Sequence, residues 1–353
     1  MEARQMGGRN RAGFSSFTYH VLVVVVVLAL ALFVWRIARA LLLAFIGILL
    51  ASPLRGLVNL IIRYVPIPAP LALVFVLLML LALVALFIWI AGPQLNDQLS
   101  QFIETLPNSI GQVEKWLKQY EWGQYVLSQL APSKLGESQG FRLFSRVSGF
   151  ASVTFGILAD MIIVIFTAIY FAANPGMYKR GIVALVPRNK SQRMTEVLEA
   201  TGYTLQHWLL GQGITMVTVG ILTAVGLWIV GIPLAPLLGV IAALLEFIPF
   251  IGPIVAAIPG VLIALTLGWN KALYAVIVYI IVQQSEGHII IPLIQKKVVE
   301  LPPALIVLAV IAMGLVFGFL GALVATPLTA VLMVWIKMLY VQDVLGKPVT
   351  IKE

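Results

Sequence analysis

The stretch Leu244–Pro253, LLEFIPFIGP, places a glutamate, two prolines and a glycine inside one of the most apolar parts of the chain. Proline lacks the N–H that a helix interior needs, and its ring clashes with the preceding turn. Glycine adopts backbone conformations that other residues avoid. The stretch therefore predicts that an apolar helix breaks here and that the chain turns back, with Glu246 beside the break.

The apolar segment around this stretch covers residues 233–267, and a second apolar segment covers residues 302–335. Each is too long for one membrane crossing and too short for two. The uncharged run that contains the second segment has 36 residues, which as one straight helix would be about 54 Å long. The hydrocarbon core is about 30 Å thick, and two full crossings need about 40 residues and a turn. Both segments therefore predict re-entrant helical hairpins. The predicted tips contain Pro249, Gly252 and Pro253 in the first hairpin, and Gly318, Gly321 and Pro327 in the second.

The two segments also match each other at a shift of 69 residues. The identical pairs are Pro233 and Pro302, Ala235 and Ala304, Ala243 and Ala312, Phe250 and Phe319, Gly252 and Gly321, Val255 and Val324, and Ala256 and Ala325. We interpret this as an internal repeat. With a cytoplasmic N-terminus, one hairpin enters from outside and the other from inside, which is the inverted-repeat arrangement of many secondary transporters.

The composition of the whole chain fits a membrane protein. Of its 353 residues, 61% are hydrophobic and 10% are charged, and the mean hydropathy is +1.03, far from the usual balance of a soluble domain. The apolar runs are long and do not alternate, which favours helices over the strands of a barrel. The sequence predicts an all-α, polytopic membrane protein with about eight membrane segments, including the two hairpins.

Charge and residue usage narrow the function. The net charge is +9, but the basic residues lie beside apolar runs, where they orient the chain and attract lipid headgroups, so we expect no nucleic-acid partner. The chain has no cysteine, and its histidines, His20, His207 and His288, are scattered, so no metal or cofactor is expected. Phosphate-binding, zinc-binding and nucleophile motifs are absent from the sequence. We expect a protein that is not an enzyme.

Changes in composition along the chain predict its organisation. Arg36 and Arg39 separate the first two apolar runs, and a third run ends at Ala91. Mixed charges then indicate a helical extracytoplasmic domain, and a later basic, amphipathic stretch indicates the cytoplasmic surface. The predicted parts are membrane segments 1–3 in residues 1–91, the extracytoplasmic domain in 92–150, segment 4 in 151–173, the cytoplasmic segment in 174–208, a transport core with both hairpins in 209–337, and a cytoplasmic tail in 338–353.

Three acidic residues fall within predicted membrane segments: Asp160, Glu246 and Glu286. A charge at the centre of a membrane helix costs about 2.5–3.5 kcal/mol, so such residues are candidates for function. Glu246 has two readings: a protonated carboxyl that donates to a backbone carbonyl freed by the prolines, or an ionised one that holds a cation or couples transport to protons. Asp160 has the alternative of capping a helix or pairing with a neighbouring one.

Glu286 has the most polar surroundings of the three. Gln283, Gln284 and His288 lie within about one turn and a half of it along a helix. Such a cluster can bind a polar solute through several hydrogen bonds or relay a proton. The alternative is that Glu286 lies at the cytoplasmic end of its span, solvated beside Lys296 and Lys297.

These motifs occur in a recognisable order in the C-terminal half: an acid before IPFIGP, then QQSEG, IPLIQKKVVELPP and FGFLGALVATP. In this the chain resembles the AI-2E (autoinducer-2 exporter) family of bacterial membrane proteins. The resemblance implies about eight membrane segments, a location in the bacterial cytoplasmic membrane with both termini inside, and a homo-oligomer, with a pentamer as one candidate. The residues that it points to are Glu246, Pro249, Gly252, Pro253, Gln283, Gln284, Glu286, Pro292, Gly318, Gly321 and Pro327.

Three functions are consistent with these observations. The first is secondary transport or export of a small polar organic molecule, which the resemblance makes an autoinducer-2-like signal. The second is sodium(lithium)/proton antiport through the same acids, as the resemblance also implies. The third is a membrane scaffold that transports nothing and presents residues 92–150 to a partner. The two broken helices and the acids within the membrane favour transport, because a scaffold has no evident need for them.

Overall fold

The computed structural model describes residues 9–121, 124–125, 150–294 and 301–348. Every regular element within those ranges is helical, which confirms the predicted all-α class. The helices are α1 Arg9–Tyr64, α2 Ala69–Leu117, α3 Phe150–Ala173, α4 Pro175–Ala184, α5 Ser191–Ile229, α6 Ala235–Leu245, α7 Ile251–Thr266, α8 Trp269–Ser285, α9 Ile291–Ile294 and α10 Pro303–Trp335. Single π-helical segments follow α8, at Glu286–Ile290, and α10, at Ile336–Gln342.

The lengths and composition of these helices confirm a polytopic membrane protein. In the described part of the chain, five helices are long and apolar enough to cross a membrane, or six if α3 and α4 count as one bent span. Helices α6 and α7 are also apolar but shorter, with 11 and 16 residues. The number of about eight segments stays a prediction.

The first two apolar runs form one helix, which corrects their predicted separation at Arg36 and Arg39. Helix α1 continues without a break for 56 residues. Neither glycine nor proline occurs between Trp35 and Ala40, and arginine is a good helix former, so nothing local ends the helix. Arg39 instead reaches across to α3, where its Nη2 lies 2.6 Å from Asp160 Oδ2.

Helix α2 likewise continues past the predicted end of the third span. It runs through Pro93 to Leu117, so the predicted extracytoplasmic domain begins as an extension of the apolar helix. This extension contacts the rest of the protein: the N–H of Leu237 donates to Gln98 Oε1 at 3.0 Å, and Leu95 packs against a buried cluster around Leu238. Residues 122–123 and 126–149 of the predicted domain lie outside the described residues.

A sharp bend joins α3 to α4. The two helices meet at 85°, and the side chain of Asn174 caps α4 by accepting from the N–H of Met177. Phe171 and Tyr178 stack across the bend with ring centroids 4.0 Å apart. Helix α4 therefore leaves the direction of the preceding span almost at a right angle, as expected of an amphipathic segment at a membrane surface.

Residues 231–268 leave the end of α5 and return to it. Within this segment, α6 and α7 pack against each other across a break at residues 246–250. Lys271, at the start of α8, donates a hydrogen bond to the carbonyl of Val230 just after α5, so the two ends of the segment are adjacent. The predicted first hairpin thus folds back on itself, and we call α6, the break and α7 hairpin 1.

The break in hairpin 1 uses the residues that the sequence singled out. Pro249 lies in the break, and Phe250 has a left-handed backbone with φ of 65°. Pro253 is the third residue of α7, in the first turn, where a missing N–H costs nothing. A Cβ at Gly252 would lie 1.8 Å from the carbonyl oxygen of Leu245, so only glycine allows the two limbs to approach this closely.

Helix α10 also turns back, at Gly318, which has a φ of 66° and a ψ of −146°. Beyond this turn a Cβ at Gly321 would lie 2.1 Å from the carbonyl oxygen of Met313, and Val310 packs in one cluster with Ala325. We call this segment hairpin 2. Of its predicted tip residues, Pro327 lies nine positions past the turn and is buried inside the second limb.

Hairpin 1 packs most closely against α5. A Cβ at Gly239 of α6 would lie 2.6 Å from the carbonyl oxygen of Gly220 of α5, so small residues bring these two backbones together. At the broken end of α6, Phe247 packs edge-on against Trp208 of α5, with ring centroids 5.7 Å apart. This packing holds the break in hairpin 1 inside the protein, against the middle of α5.

Candidate functional site

Glu246 ends the first limb of hairpin 1 and is buried in the middle of the protein. Only 1% of its surface is exposed. Its backbone carbonyl accepts a hydrogen bond from Gln212 Nε2 of α5 at 2.7 Å, which satisfies an acceptor that the break in α6 would otherwise leave unpaired. Its side-chain Oε2 has no hydrogen-bond partner. A buried oxygen of this kind costs free energy unless a ligand or water satisfies it.

Glu286 meets Glu246 from the far end of α8. It is the first residue of the π-helical turn, is 7% exposed, and accepts a hydrogen bond from Gln283 Nε2. Its carboxyl group lies close enough to the Glu246 carboxyl group for the two to interact electrostatically. The alternative that Glu286 is solvated beside Lys296 and Lys297 does not fit this burial. Lys296 and Lys297 themselves lie outside the described residues.

A small cavity adjoins Glu246, and Gln283, which donates to Glu286, also lines it. Glu246 and Gln283 line it, together with Thr223 of α5, Pro253 of α7 and Tyr279 of α8, and its volume is about 30 Å³. This is room for about one water molecule or an ion of similar size. Thr223 Oγ1 and Tyr279 OH, like Glu246 Oε2, have no hydrogen-bond partner in the described part of the chain. We call this space the Glu246 cavity.

Three residues at this site were missed by the sequence analysis: Gln212, Thr223 and Tyr279. A signal was present for two of them. Gln212, Thr215 and Thr223 are all buried on α5, at spacings of three and eight residues that place them on one face of a helix. A polar stripe inside an apolar span is therefore visible in the sequence. Tyr279 carries no such signal, because nothing in its neighbourhood distinguishes it from other tyrosines.

The remaining candidates lie elsewhere. Gln284 and His288 are exposed on the surface of the chain, and His288 Nδ1 is 3.1 Å from the carbonyl oxygen of Gln284. Neither lines the Glu246 cavity. Asp160 forms its ion pair with Arg39 of α1, which is the pairing between helices that the sequence left open. The polar cluster predicted around Glu286 thus contributes only Gln283 to the cavity.

The polar side chains that line the cavity carry one carboxyl group, two hydroxyl groups and one amide. Within the described residues, no group of three histidine, cysteine, aspartate or glutamate side chains is placed to hold a metal ion. Carboxylate, hydroxyl and amide oxygens suit hard cations, protons and hydroxyl-bearing solutes. Two neighbouring carboxyl groups also repel each other when both are ionised, so a proton or cation between them relieves the repulsion.

The known proteins that this chain resembles are all assigned to transport by their names. The model of the AI-2E family transporters matches residues 21–340. YueF of Bacillus subtilis, assigned to transport by its name, is 27% identical over 301 residues, covering 81% of this chain and 82% of YueF. YrrI of the same organism is 31% identical over 169 residues, 48% of each chain. A Thermotoga maritima protein, also assigned to transport by its name, is 26% identical over 227 residues, covering 64% of this chain and 67% of the relative. None of these names states a substrate.

Proposed function

The chain belongs to the AI-2E family of transporters, and we propose that it is a secondary transporter that exports a small polar organic molecule across the bacterial cytoplasmic membrane. The observation that carries the proposal is the buried pair of Glu246 and Glu286 at the break in hairpin 1. Transporter sites lie where broken helices meet near the middle of the membrane. Buried acids in such a position mark the path of a solute or coupling ion.

The arrangement supports a role for each part of the site. Hairpin 1 brings Glu246 to α5, and the π-helical turn after α8 brings Glu286 to the same place. Single π-turns often occur at functional sites, because they release a backbone carbonyl and redirect a side chain. Thr223, Tyr279 and Gln283 add hydrogen-bonding groups on two further sides of the Glu246 cavity. A solute with several hydroxyl groups finds donors and acceptors here.

The volume of the cavity is about 30 Å³, which is too small for an organic solute. We therefore propose that it is a narrow point of the path, and that hairpin 1 moves against α5 to admit the solute. An autoinducer-2-like signal is the solute that the family name favours. In this proposal the re-entrant hairpins form an inverted repeat, both termini are cytoplasmic, and the protein carries out no enzymatic reaction.

A second candidate is exchange of sodium or lithium for protons, and the size of the cavity favours it. A space for one water molecule also fits a small monovalent cation, with Glu246 Oε2 and the free hydroxyl of Thr223 as ligands. Dye-monitored proton movement in proteoliposomes separates the two functions. Adding sodium produces a proton signal from an antiporter, whereas a facilitator of a neutral solute gives none.

We expect Glu246→Gln and Glu286→Gln each to reduce efflux of the candidate signal about tenfold, because a buried polar interaction of this type contributes about 1–3 kcal/mol. Efflux is measured from proteoliposomes with equal amounts of inserted protein. Glu104→Gln, which changes an exposed acid of α2, is the control and should leave efflux unchanged. Wild-type efflux by both site variants would remove this pair from the transport path.

A further inference from the structure

An apolar groove lies between α5 and α8, outside the Glu246 cavity. Its volume is about 290 Å³, close to the lower end of the range for small-molecule sites. Eight of its nine lining residues are hydrophobic or glycine, and the ninth is Ser285. The hydroxyl of Ser285 donates to the carbonyl of Ile281, so its proton is not available to a ligand in the groove. The groove therefore suits an apolar chain.

The groove runs along both helices toward their junction. On α5 it extends from Leu222 to Val230, a length of about 12 Å at the rise of an α-helix. At the Val230 end, the ammonium group of Lys271 donates to the Val230 carbonyl. No ion pair joins Lys271 to a carboxylate within the described ranges. The groove thus has an apolar body and one positively charged end.

Aromatic residues place that charged end at a membrane interface. Trp228 and Trp269 are 73% and 66% exposed, and both lie within two residues of the contact between Val230 and Lys271. Tryptophan is enriched at the level of the lipid headgroups. From that level the groove descends along α5 and α8 into the apolar region, which is the direction an acyl chain takes below its phosphate.

From these observations we propose that the groove binds an anionic phospholipid, with its phosphate at Lys271 and one acyl chain between α5 and α8. Charge complementarity selects the headgroup, and the apolar lining selects the chain. Val282 lines both the groove and the Glu246 cavity. The bound chain therefore lies one side chain away from Glu246, where its presence supports the wall of the cavity.

The lipid site is tested on the full chain in detergent by titrating phosphatidylglycerol and following the unfolding temperature. We expect phosphatidylglycerol to raise the unfolding temperature more than phosphatidylcholine does. Lys271→Gln should weaken the apparent affinity for phosphatidylglycerol about fivefold, the effect of one lysine near a charged surface. Val225→Trp, which fills the groove and leaves Lys271 in place, should weaken it at least as much.

Control variants separate lipid binding from other effects of the substitutions. Lys271→Arg retains the charge and should bind like the wild type, which separates phosphate binding from the packing of Lys271. Lys115→Gln, at an exposed lysine of α2, and Val217→Trp, at a lipid-facing position of α5 that is 61% exposed, should both bind normally. Equal affinity for both lipids, normal binding by Lys271→Gln and Val225→Trp, or the same temperature shift with glycerol phosphate alone would each overturn the proposal.

Discussion

At the scale of single residues, two glycines allow the hairpins to close. The shift of 69 residues pairs Gly252 with Gly321, and each lies where a Cβ would come within 1.8 or 2.1 Å of a carbonyl oxygen of the preceding limb. Real Cβ atoms do not approach oxygen this closely, so any other residue forces the backbone apart. The same requirement at both positions supports the proposed repeat more strongly than identity alone.

We expect Gly252→Ala and Gly321→Ala each to destabilise the protein by about 3 kcal/mol, the upper part of the range for overpacking, because the obstructing atom is backbone. The measurement is the unfolding temperature in detergent, followed by tryptophan fluorescence. Gly213→Ala is the control, since no atom lies within 4 Å of its Cβ. That substitution should be neutral or stabilising by about 0.5–1 kcal/mol. An unchanged unfolding temperature for Gly252→Ala would contradict the close approach.

At the scale of elements, the extension of α2 is a support for hairpin 1. Gln98 accepts from the N–H of Leu237, which is one of the unpaired donors in the first turn of α6. Trp116, near the end of α2, stacks on Trp269 at the start of α8 with ring centroids 6.0 Å apart. The predicted extracytoplasmic domain is therefore joined to the predicted transport core through contacts as well as through the chain, which argues against a separable scaffold module.

Gln98→Ala should lower stability by about 0.5–2 kcal/mol, the usual effect of removing a side-chain cap from a helix. Hydrogen exchange of the amides in the first turn of α6 should also become faster, because the N–H of Leu237 loses its partner. Gln112→Ala changes an exposed glutamine of the same helix and serves as the control. Equal exchange in the two variants would show that Gln98 does not cap α6.

At the scale of the whole molecule, the two ends of α5 make contacts with different parts of the protein. Near its start, Arg193 Nη2 lies 2.9 Å from Asp343 Oδ1, which holds the end of the described chain beside it. Near its other end, Val230 contacts Lys271 at the start of α8. Helix α5 has 39 residues and a length of about 58 Å, more than the hydrocarbon core needs. We therefore expect the two ends of α5 to lie on opposite sides of the membrane.

The absence of cysteine from the sequence allows each side of the membrane to be labelled separately. We expect Leu267→Cys to react with a membrane-impermeant maleimide in intact cells, because the end of hairpin 1 lies at the extracytoplasmic level in the proposed orientation. Leu185→Cys and Leu345→Cys should react only after permeabilisation. All three positions are exposed in the structure. Labelling of Leu185 and Leu267 from one side would refute the topology, and a fully reversed pattern would invert the proposed orientation.

The sequence by itself determined the class of the protein and the places where its helices break. Long apolar runs specify membrane helices, because the bilayer leaves no other way to pair the backbone. Proline and glycine act within one turn of where they stand, so the break near Pro249 and the turn at Gly318 were visible in advance. The cost of a charge in lipid likewise marked Glu246 and Glu286, and motif order indicated the family.

Only the tertiary structure decided which of these residues meet. Glu246 and Glu286 are 40 positions apart. They come together because hairpin 1 returns to the end of α5, from which α8 runs back beside α5 toward Glu246. Asp160 joined Arg39 instead, and Tyr279 entered the cavity without any local signal. Local patterns report what lies within a few turns along the chain. Contacts between distant residues depend on how packed helices cross, and that is fixed only when all the elements are in place.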